Sequence, residues 1–242
     1  MKPSSLLLVA ALLAPGLARA EEVKLIPTTE LAAKVKAHAK DLVVIDSRTE
    51  VEFGEGHLPG AILIPAKATA AKLPGHATKE QLVVFYCNGP DCTKSRKAYK
   101  AAAAIGYANL REYTEGLPAW KLAGLEVVGT PLPPFDVGPG LEPKEAKALL
   151  AGPGAPTILD VRDADEFEAF RLSGARNLPV DAIAKRAAEL PAGPILLVDH
   201  AGHQIKVAAR VLAKLGHKDL RWLRGGMLAW SDAGLPTEEG KK

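Results

Sequence analysis

The chain of 242 residues carries 31 Lys and Arg against 28 Asp and Glu, is 48% hydrophobic and has only 2 cysteines. Such a mixture is that of a folded globular protein with both signs of charge spread over its surface, and the near balance excludes the basic footprint of a nucleic-acid or acidic-membrane binder. At this length one or two domains are expected, each large enough to bury its own core.

The N-terminus reads as a targeting segment. Lys2 precedes the apolar stretch Leu6 to Leu13, and Ala18-Arg19-Ala20 supplies the small residues a signal peptidase needs, so residues 1–20 are expected to be a cleaved secretory signal. Its apolar core is too short to span a bilayer, so no membrane insertion is expected after cleavage and the protein should be periplasmic or secreted. Without Lys2 and Arg19 the mature chain holds 29 basic and 28 acidic residues, a net charge of +1.

Beyond it the chain alternates helices and continuous apolar strands. Thr28 or Thr29 can cap a helix through Leu31, Val35 and His38; Leu42–Ile45 is a short buried strand ending on Asp46; Ala61–Ile64 is another, stopped by Pro65. Gln81–Tyr86 leads into Cys87, Ser95 can cap a helix running through Ala104, and a strand near Asn109–Tyr113 precedes the helix with Trp120. Continuous apolar strands alternating with helices predict an α/β fold, a parallel sheet with helices on both faces, whose ligand site lies beyond the carboxyl ends of the strands. Cys87 falls there.

The pattern occurs twice. Asp46-Ser47-Arg48 recurs as Asp160-Val161-Arg162, Gly60-Ala61 as Gly174-Ala175 and Pro65 as Pro179, each at an offset of 114, whereas Cys87 aligns with Asp199 at 112 and Ala119-Trp120 with Ala229-Trp230 at 110. The falling offset gives the first copy two extra residues between its thiol and its helix. The sequence therefore divides into a first domain over 21–129, a Pro- and Gly-rich, semi-rigid linker over 130–140 and a second domain over 141–242 that lacks a cysteine.

Chemistry concentrates in one loop: Cys87, Asn88, Gly89, Pro90, Asp91, Cys92, Thr93, Lys94, Ser95 and Arg96. A thiol facing a helix N-terminus meets unpaired backbone N–H groups, which favour an anion and lower the thiol pKa. Both cysteines sit in this loop, and a bridge that short staples nothing that a domain of this size needs, so reactivity is the expected role. Cys92 is open as a resolving thiol, a disulfide partner or a bystander. Asp46 and Arg48 read as a supporting ion pair that fixes the strand-end loops, and His57 as a turn residue. Asp199, His200 and His203 have metal-ligand chemistry but no evident fourth ligand, so no metal site is assigned.

Taken together, Asp46-Ser47-Arg48, Glu52-Phe53, Gly56-His57-Leu58-Pro59-Gly60-Ala61, the strand ending in Tyr86-Cys87, Gly116 and Ala119-Trp120 resemble the rhodanese domain over residues 24 to 128, with a degenerate copy over 141 to 236. The resemblance implies tandem rhodanese-like domains and a sulfurtransferase in which Cys87 accepts sulfane sulfur as a persulfide from thiosulfate or a related small donor and passes it to a thiol or cyanide-like acceptor. Loop N–H groups from Asn88 to Ser95 would hold the anion, with Lys94 or Arg96 neutralising the donor's charge. No metal or organic cofactor is implied. The family loop has four residues between its cysteine and an arginine; here six separate Cys87 from Lys94, and Thr93 stands where a phosphatase-type loop would have arginine. Two other readings keep the fold: a thiol-redox or sulfur-carrier protein using Cys87 and Cys92, and a binding module whose thiol-free second domain docks a protein partner.

Overall fold

The computed structural model describes residues 22–240; the signal segment expected at 1–20 lies outside them. In the first domain the order is α1 (Thr28–Lys36), β1 (Leu42–Asp46), α2 (Glu50–Glu55), β2 (Ile62–Leu63), α3 (Thr69–Lys72), β3 (Leu82–Tyr86), α4 (Lys94–Ala104), β4 (Leu110–Tyr113) and α5 (Gly116–Leu122). The second domain repeats it as α6 (Pro143–Leu150), β5 (Thr157–Asp160), α7 (Ala164–Ala169), β6 (Arg176–Asn177), α8 (Val180–Ile183), β7 (Ile195–Val198), α9 (Ile205–Lys214), β8 (Leu220–Trp222) and α10 (Gly226–Asp232). Each domain is built on one 4-stranded parallel sheet, ordered β2-β1-β3-β4 and β6-β5-β7-β8.

The uninterrupted apolar strands follow from burial on both faces. Val43 and Ile45 of β1 with Val83 and Phe85 of β3 pack under Ala98, Tyr99 and Ala102 of α4. Val44, Val84 and Tyr86 pack on the opposite face with Leu31 of α1 and Leu117 and Trp120 of α5. The second sheet divides in the same way, Leu197 facing Ala208 and Leu212 of α9 while Leu196 and Val198 face Met227 and Trp230 of α10. Between the domains, residues 130–140 form no helix or strand, and Leu132, Phe135 and Val137 pack against the second domain's core.

Four local expectations are corrected. Pro27, not a threonine, stands at the cap position of α1 and no side chain caps it, because Thr28 Oγ1 is engaged with Tyr113 Oη at 2.7 Å and with Glu115. His38 lies past the end of α1 with a φ of 48°. Strand β2 is confined to Ile62–Leu63 rather than Ala61–Ile64, since only Ile45 and Asp46 of β1 pair with it. Ser95 does not cap α4: it lies inside the helix, which starts at Lys94, and its hydroxyl turns to Cys87 and Glu112 instead. The extra length of the first copy is also shared out, residues 88–93 preceding an 11-residue α4 and residues 200–204 a 10-residue α9, so part of it lengthens the helix.

Candidate active site at the Cys87 loop

Register places the site. Parallel pairing sets Asp46, Tyr86 and Tyr113 side by side at the carboxyl ends of β1, β3 and β4, so the residues that follow them converge on one edge. Asp46 and Arg48 form the expected pair: Arg48 Nε reaches Oδ1 at 2.9 Å and Nη2 reaches Oδ2 at 2.6 Å, with both residues buried. Tyr86 Oη donates to Asp46 Oδ2 at 2.6 Å, and Arg48 also donates to the Gly56 carbonyl at 2.7 Å. A buried ion pair satisfied in this way holds its surrounding loops by geometry more than by net energy.

Cys87 follows β3 and is only 1% exposed. Its carbonyl accepts from Leu117 N at 3.0 Å, a contact so close that a Cβ on residue 116 would lie 2.5 Å from that oxygen; Gly116, at φ +64°, is therefore required. Burial pushes the Cys87 thiol up, but hydrogen bonds from the Cys92 thiol, the Ser95 hydroxyl and the backbone N–H groups of Ser95 and Asn88 outweigh it and bring the group below its ordinary value. As a neutral thiol it donates instead to the Cys92 carbonyl at 3.3 Å. Ser95 Oγ, 3.2 Å from the sulfur, has one proton, which goes either to Glu112 Oε1 at 2.8 Å or to the Cys87 thiolate. Cys92 is pushed the other way, well above the ordinary thiol value, because its proton is held by Cys87 and because it is itself buried. The loop thus sets a more acidic thiol, Cys87, beside a less acidic one, Cys92, and both cysteines are free.

The remaining loop residues divide into three groups. Pro90, Asp91 and Thr93 face solvent, and Gly89 turns the chain at φ 119° so that its carbonyl accepts from Cys92 N at 3.0 Å. Asn88 bridges: its Oδ1 lies 3.4 Å from Arg48 Nη1 and its Nδ2 donates to Glu52. Lys94 and Arg96 are already paired, Lys94 Nζ with Asp163 at 3.0 Å and Arg96 Nε with Glu112. Neither is a free cation beside Cys87, because burial of Lys94 against the second domain and the nearby carboxylate of Glu112 claim both.

Four residues to which the sequence assigned no role at the site complete it. Glu52 caps its own helix in a reciprocal box with Thr49, yet it also accepts from Gln204 Nε2 of the second domain at 3.1 Å. Burial raises the Glu52 carboxyl, but Lys94 and Arg48 together with bonds from Asn88 and Thr49 bring it below its ordinary value. Asp163 and Gln204 come from the second domain, and Glu112 from β4. Glu52 carries a signal in the sequence, in the Glu52-Phe53 motif and the Thr49-x-x-Glu52 capping pattern; Asp163, Gln204 and Glu112 are brought in by tertiary contacts.

In the second copy Asp199 occupies the position of Cys87 and fills its own loop. Its carboxylate accepts from Gly202 N at 2.6 Å and from Gln204 N at 2.7 Å. Among the described residues no group of three or more His, Cys, Asp or Glu side chains is arranged to hold a metal. The two loops face each other across the domain boundary, where about 310 Å³ of space, part of it open to solvent, is lined by residues including Cys92, Lys94, Glu166, Asp199, His200 and His203. A wider cleft of about 810 Å³ opens beside Asn88, Leu117 and Lys121.

The family model for the Rhodanese-like domain matches residues 28–123 and again 142–233. Over 100 residues the chain is 35% identical to the thiosulfate sulfurtransferase GlpE of Pseudomonas putida, covering 40% of this chain and 88% of that one. It is 27% identical over 95 residues to a sulfurtransferase of Allochromatium vinosum, covering 38% and 83%. It also matches, at 33% identity, an HTH-type transcriptional regulator of Mycobacterium tuberculosis, of which it spans only 40%, as it does of a sulfur carrier protein from Bacillus subtilis. A solved thiosulfate sulfurtransferase from Pseudomonas aeruginosa aligns with 91% of this chain and 44% of its own at 20% identity and a TM-score of 0.42. With two matches that together span most of its length, the chain belongs to the rhodanese family as a tandem of two rhodanese-like domains.

Proposed function

We propose that the protein is an exported sulfurtransferase that carries sulfane sulfur on Cys87. The observation that carries this reading is the environment of the Cys87 sulfur, a buried thiol 3.2 Å from Ser95 Oγ and brought below its ordinary pKa by the side chains of Cys92 and Ser95 and by the N–H groups of Ser95, in the first turn of the 11-residue helix α4, and of Asn88 in the loop. With thiosulfate as donor, the thiolate attacks the outer sulfur, the S–S bond of the donor breaks, sulfite leaves with its electron pair and Cys87 becomes a persulfide anion. The loop N–H groups then neutralise that anion. Lys94 and Arg96, both paired, act on this charge at a distance rather than as ligands of the donor. A thiol or cyanide-like acceptor arriving through the cleft beside Asn88 attacks the outer sulfur and regenerates the thiolate. The proposal calls for no metal or organic cofactor.

Export rests on Lys2, the apolar stretch from Leu6 to Leu13 and Ala18-Arg19-Ala20. No helix among the described residues is long and apolar enough to cross a membrane. Intact mass after incubation with thiosulfate tests the chemistry: a gain of one sulfur atom that is absent in Cys87→Ser supports it, and an unchanged mass for every variant refutes it. N-terminal sequencing of exported protein tests processing, with Glu21 expected first and Met1 overturning it.

A second reading, thiol-redox cycling between Cys87 and Cys92, is favoured by the loop that brings the Cys92 main chain within 3.3 Å of Cys87 Sγ with both cysteines free. In a third the second domain docks a protein partner.

A further inference from the structure

The sulfur-transfer reading uses Cys87 and leaves Cys92 without a task. Yet Cys92 is the side chain nearest in chemistry to the reacting sulfur. The turn closed by Cys92 N on the Gly89 carbonyl folds the loop back, so that the Cys92 carbonyl lies 3.3 Å from Cys87 Sγ, which brings the Cys92 side chain within reach of that sulfur. The partly buried Cys92 side chain also lines the space between the domains, whereas Cys87 is sealed beneath it.

We propose that Cys92 converts the Cys87 persulfide into free sulfide, giving the protein a second, reductant-dependent activity as a sulfide-releasing enzyme. The proposal rests on the reading of Cys87 as the sulfur acceptor. The step balances within the loop. Cys92 gives its proton to the outer, anionic sulfur of the persulfide, and the Cys92 sulfur then attacks Cys87 Sγ. A Cys87–Cys92 bond forms, the bond between Cys87 and the outer sulfur breaks, and the outer sulfur leaves as HS⁻ with the bonding pair. The sulfane sulfur is reduced by two electrons and the two cysteines are oxidised by two. A dithiol reductant supplied from outside returns the disulfide to the dithiol state, and the cycle restarts.

The geometry favours attack on the inner sulfur. Cys87 Sγ is fixed against the Cys92 main chain at 3.3 Å, while the outer sulfur of a persulfide has to extend beyond it. In an oxidising compartment, where no glutathione pool reopens a disulfide, the reaction would stop after one sulfide per chain unless the dithiol is present.

Three forms of the full chain test this: wild type, Cys92→Ser and Cys92→Ala, each reduced, freed of reductant and incubated with thiosulfate. The readouts are intact mass, peptide mapping and sulfide trapped by a thiol-reactive dye. Wild type is expected to release about one sulfide per chain and lose two hydrogens as a mapped Cys87–Cys92 disulfide, and to turn over repeatedly when dithiothreitol is added. Both Cys92 variants are expected to hold one extra sulfur on Cys87 and to release no sulfide until dithiothreitol is added. A stable persulfide on Cys87 of wild type with Cys92 free, decaying no faster than in the variants, overturns the proposal and leaves the sulfurtransferase reading intact. An extra sulfur mapped to Cys92 overturns it in favour of a relay. If neither Cys92 variant gains sulfur, the underlying reading fails and the proposal fails with it.

Discussion

The two domains share one framework and differ at one sulfur atom. Each buries an Asp-x-Arg pair at the end of its second-position strand, with Arg Nη2 to Asp Oδ2 at 2.6 Å in both. In each a glycine approaches the loop so closely that a Cβ would lie 2.5 Å from the carbonyl of residue 87 or 199, and the next residue donates to that carbonyl. The cradle of loop N–H groups persists as well. In the first copy it surrounds a thiol; in the second it is filled by the carboxylate of Asp199, an anion covalently tied to the loop it occupies. The fold therefore gathers N–H groups around one strand end, and the residue there decides whether they meet a thiol or a carboxylate that closes the loop on itself.

The comparison breaks first at that residue. Cys87→Ser is expected to lower sulfur transfer by roughly 10³-fold or more, since the hydroxyl forms no persulfide, whereas Asp199→Ala is expected to stay within about threefold of wild type. Retained turnover in Cys87→Ser would move the chemistry elsewhere. The shared framework is tested next. Removing one partner of a buried ion pair strands the other charge, so Asp46→Ala and Asp160→Ala are each expected to destabilise their own domain by about 3–5 kcal/mol. Denaturant unfolding followed domain by domain measures both. A much smaller loss in the second domain would show that its pair has lapsed along with its thiol.

How much of this was legible in the sequence follows from the range of the interactions. The strands, the repeat, the thiol at a strand end and the Asp46–Arg48 pair are local or periodic, and periodicity and spacing reveal them. Helix caps were misplaced because Thr28 and Ser95 found tertiary partners, Tyr113 with Glu115 and Cys87 with Glu112, that outcompete the local bond. The charge roles of Lys94 and Arg96 depended on what packs against them, and Asp163, 69 residues away from Lys94 in the chain, carries no local mark. Gln204 is separated from Glu52 by 152 residues, so the contact that joins the two loops is likewise invisible in any window of sequence.

A third, smaller effect should follow from the closed cradle. Burial pushes the Asp199 carboxyl up to about 6 against the pull of the Gln204 and Gly202 N–H groups, with Asp160 and Glu52 adding to the rise. The folded protein then binds this proton more tightly than the unfolded chain, so the resulting stability is fully present below the ordinary carboxylate value and is lost as pH rises through about 6. Asp199→Asn has no such proton. Relative to this variant, wild type is expected to lose on the order of 2–3 kcal/mol between pH 4 and 7.5. Thermal unfolding of both proteins across that range measures it, and parallel curves would show that Asp199 keeps its ordinary carboxylate behaviour inside the loop.

The smallest expected effect bears on whether the second domain is only a relic. It grips the thiol loop at both ends: Gln204 holds Glu52, which holds Asn88 beside Cys87, and Asp163 holds Lys94 at the start of α4. Lys94 is 7% exposed, and although burial opposes its charge, Glu52 and Asp163 keep its ammonium well above the ordinary range. Without Asp163 that buried cation loses its hydrogen bond and the helix start loses an anchor, so Asp163→Ala is expected to lower kcat/KM for sulfur transfer by about three- to tenfold. The neighbouring pair Lys97–Asp165 is the control: it spans the same boundary at 3.5 Å but is 47% and 69% exposed, and a surface pair of this kind contributes little. Asp165→Ala should therefore match wild type. Conservative Asp163→Asn, which keeps an acceptor for Lys94, should recover part of the loss, which a merely misfolded domain would not. If Asp163→Ala and Asp165→Ala behave alike, the second domain bounds the site without setting its geometry.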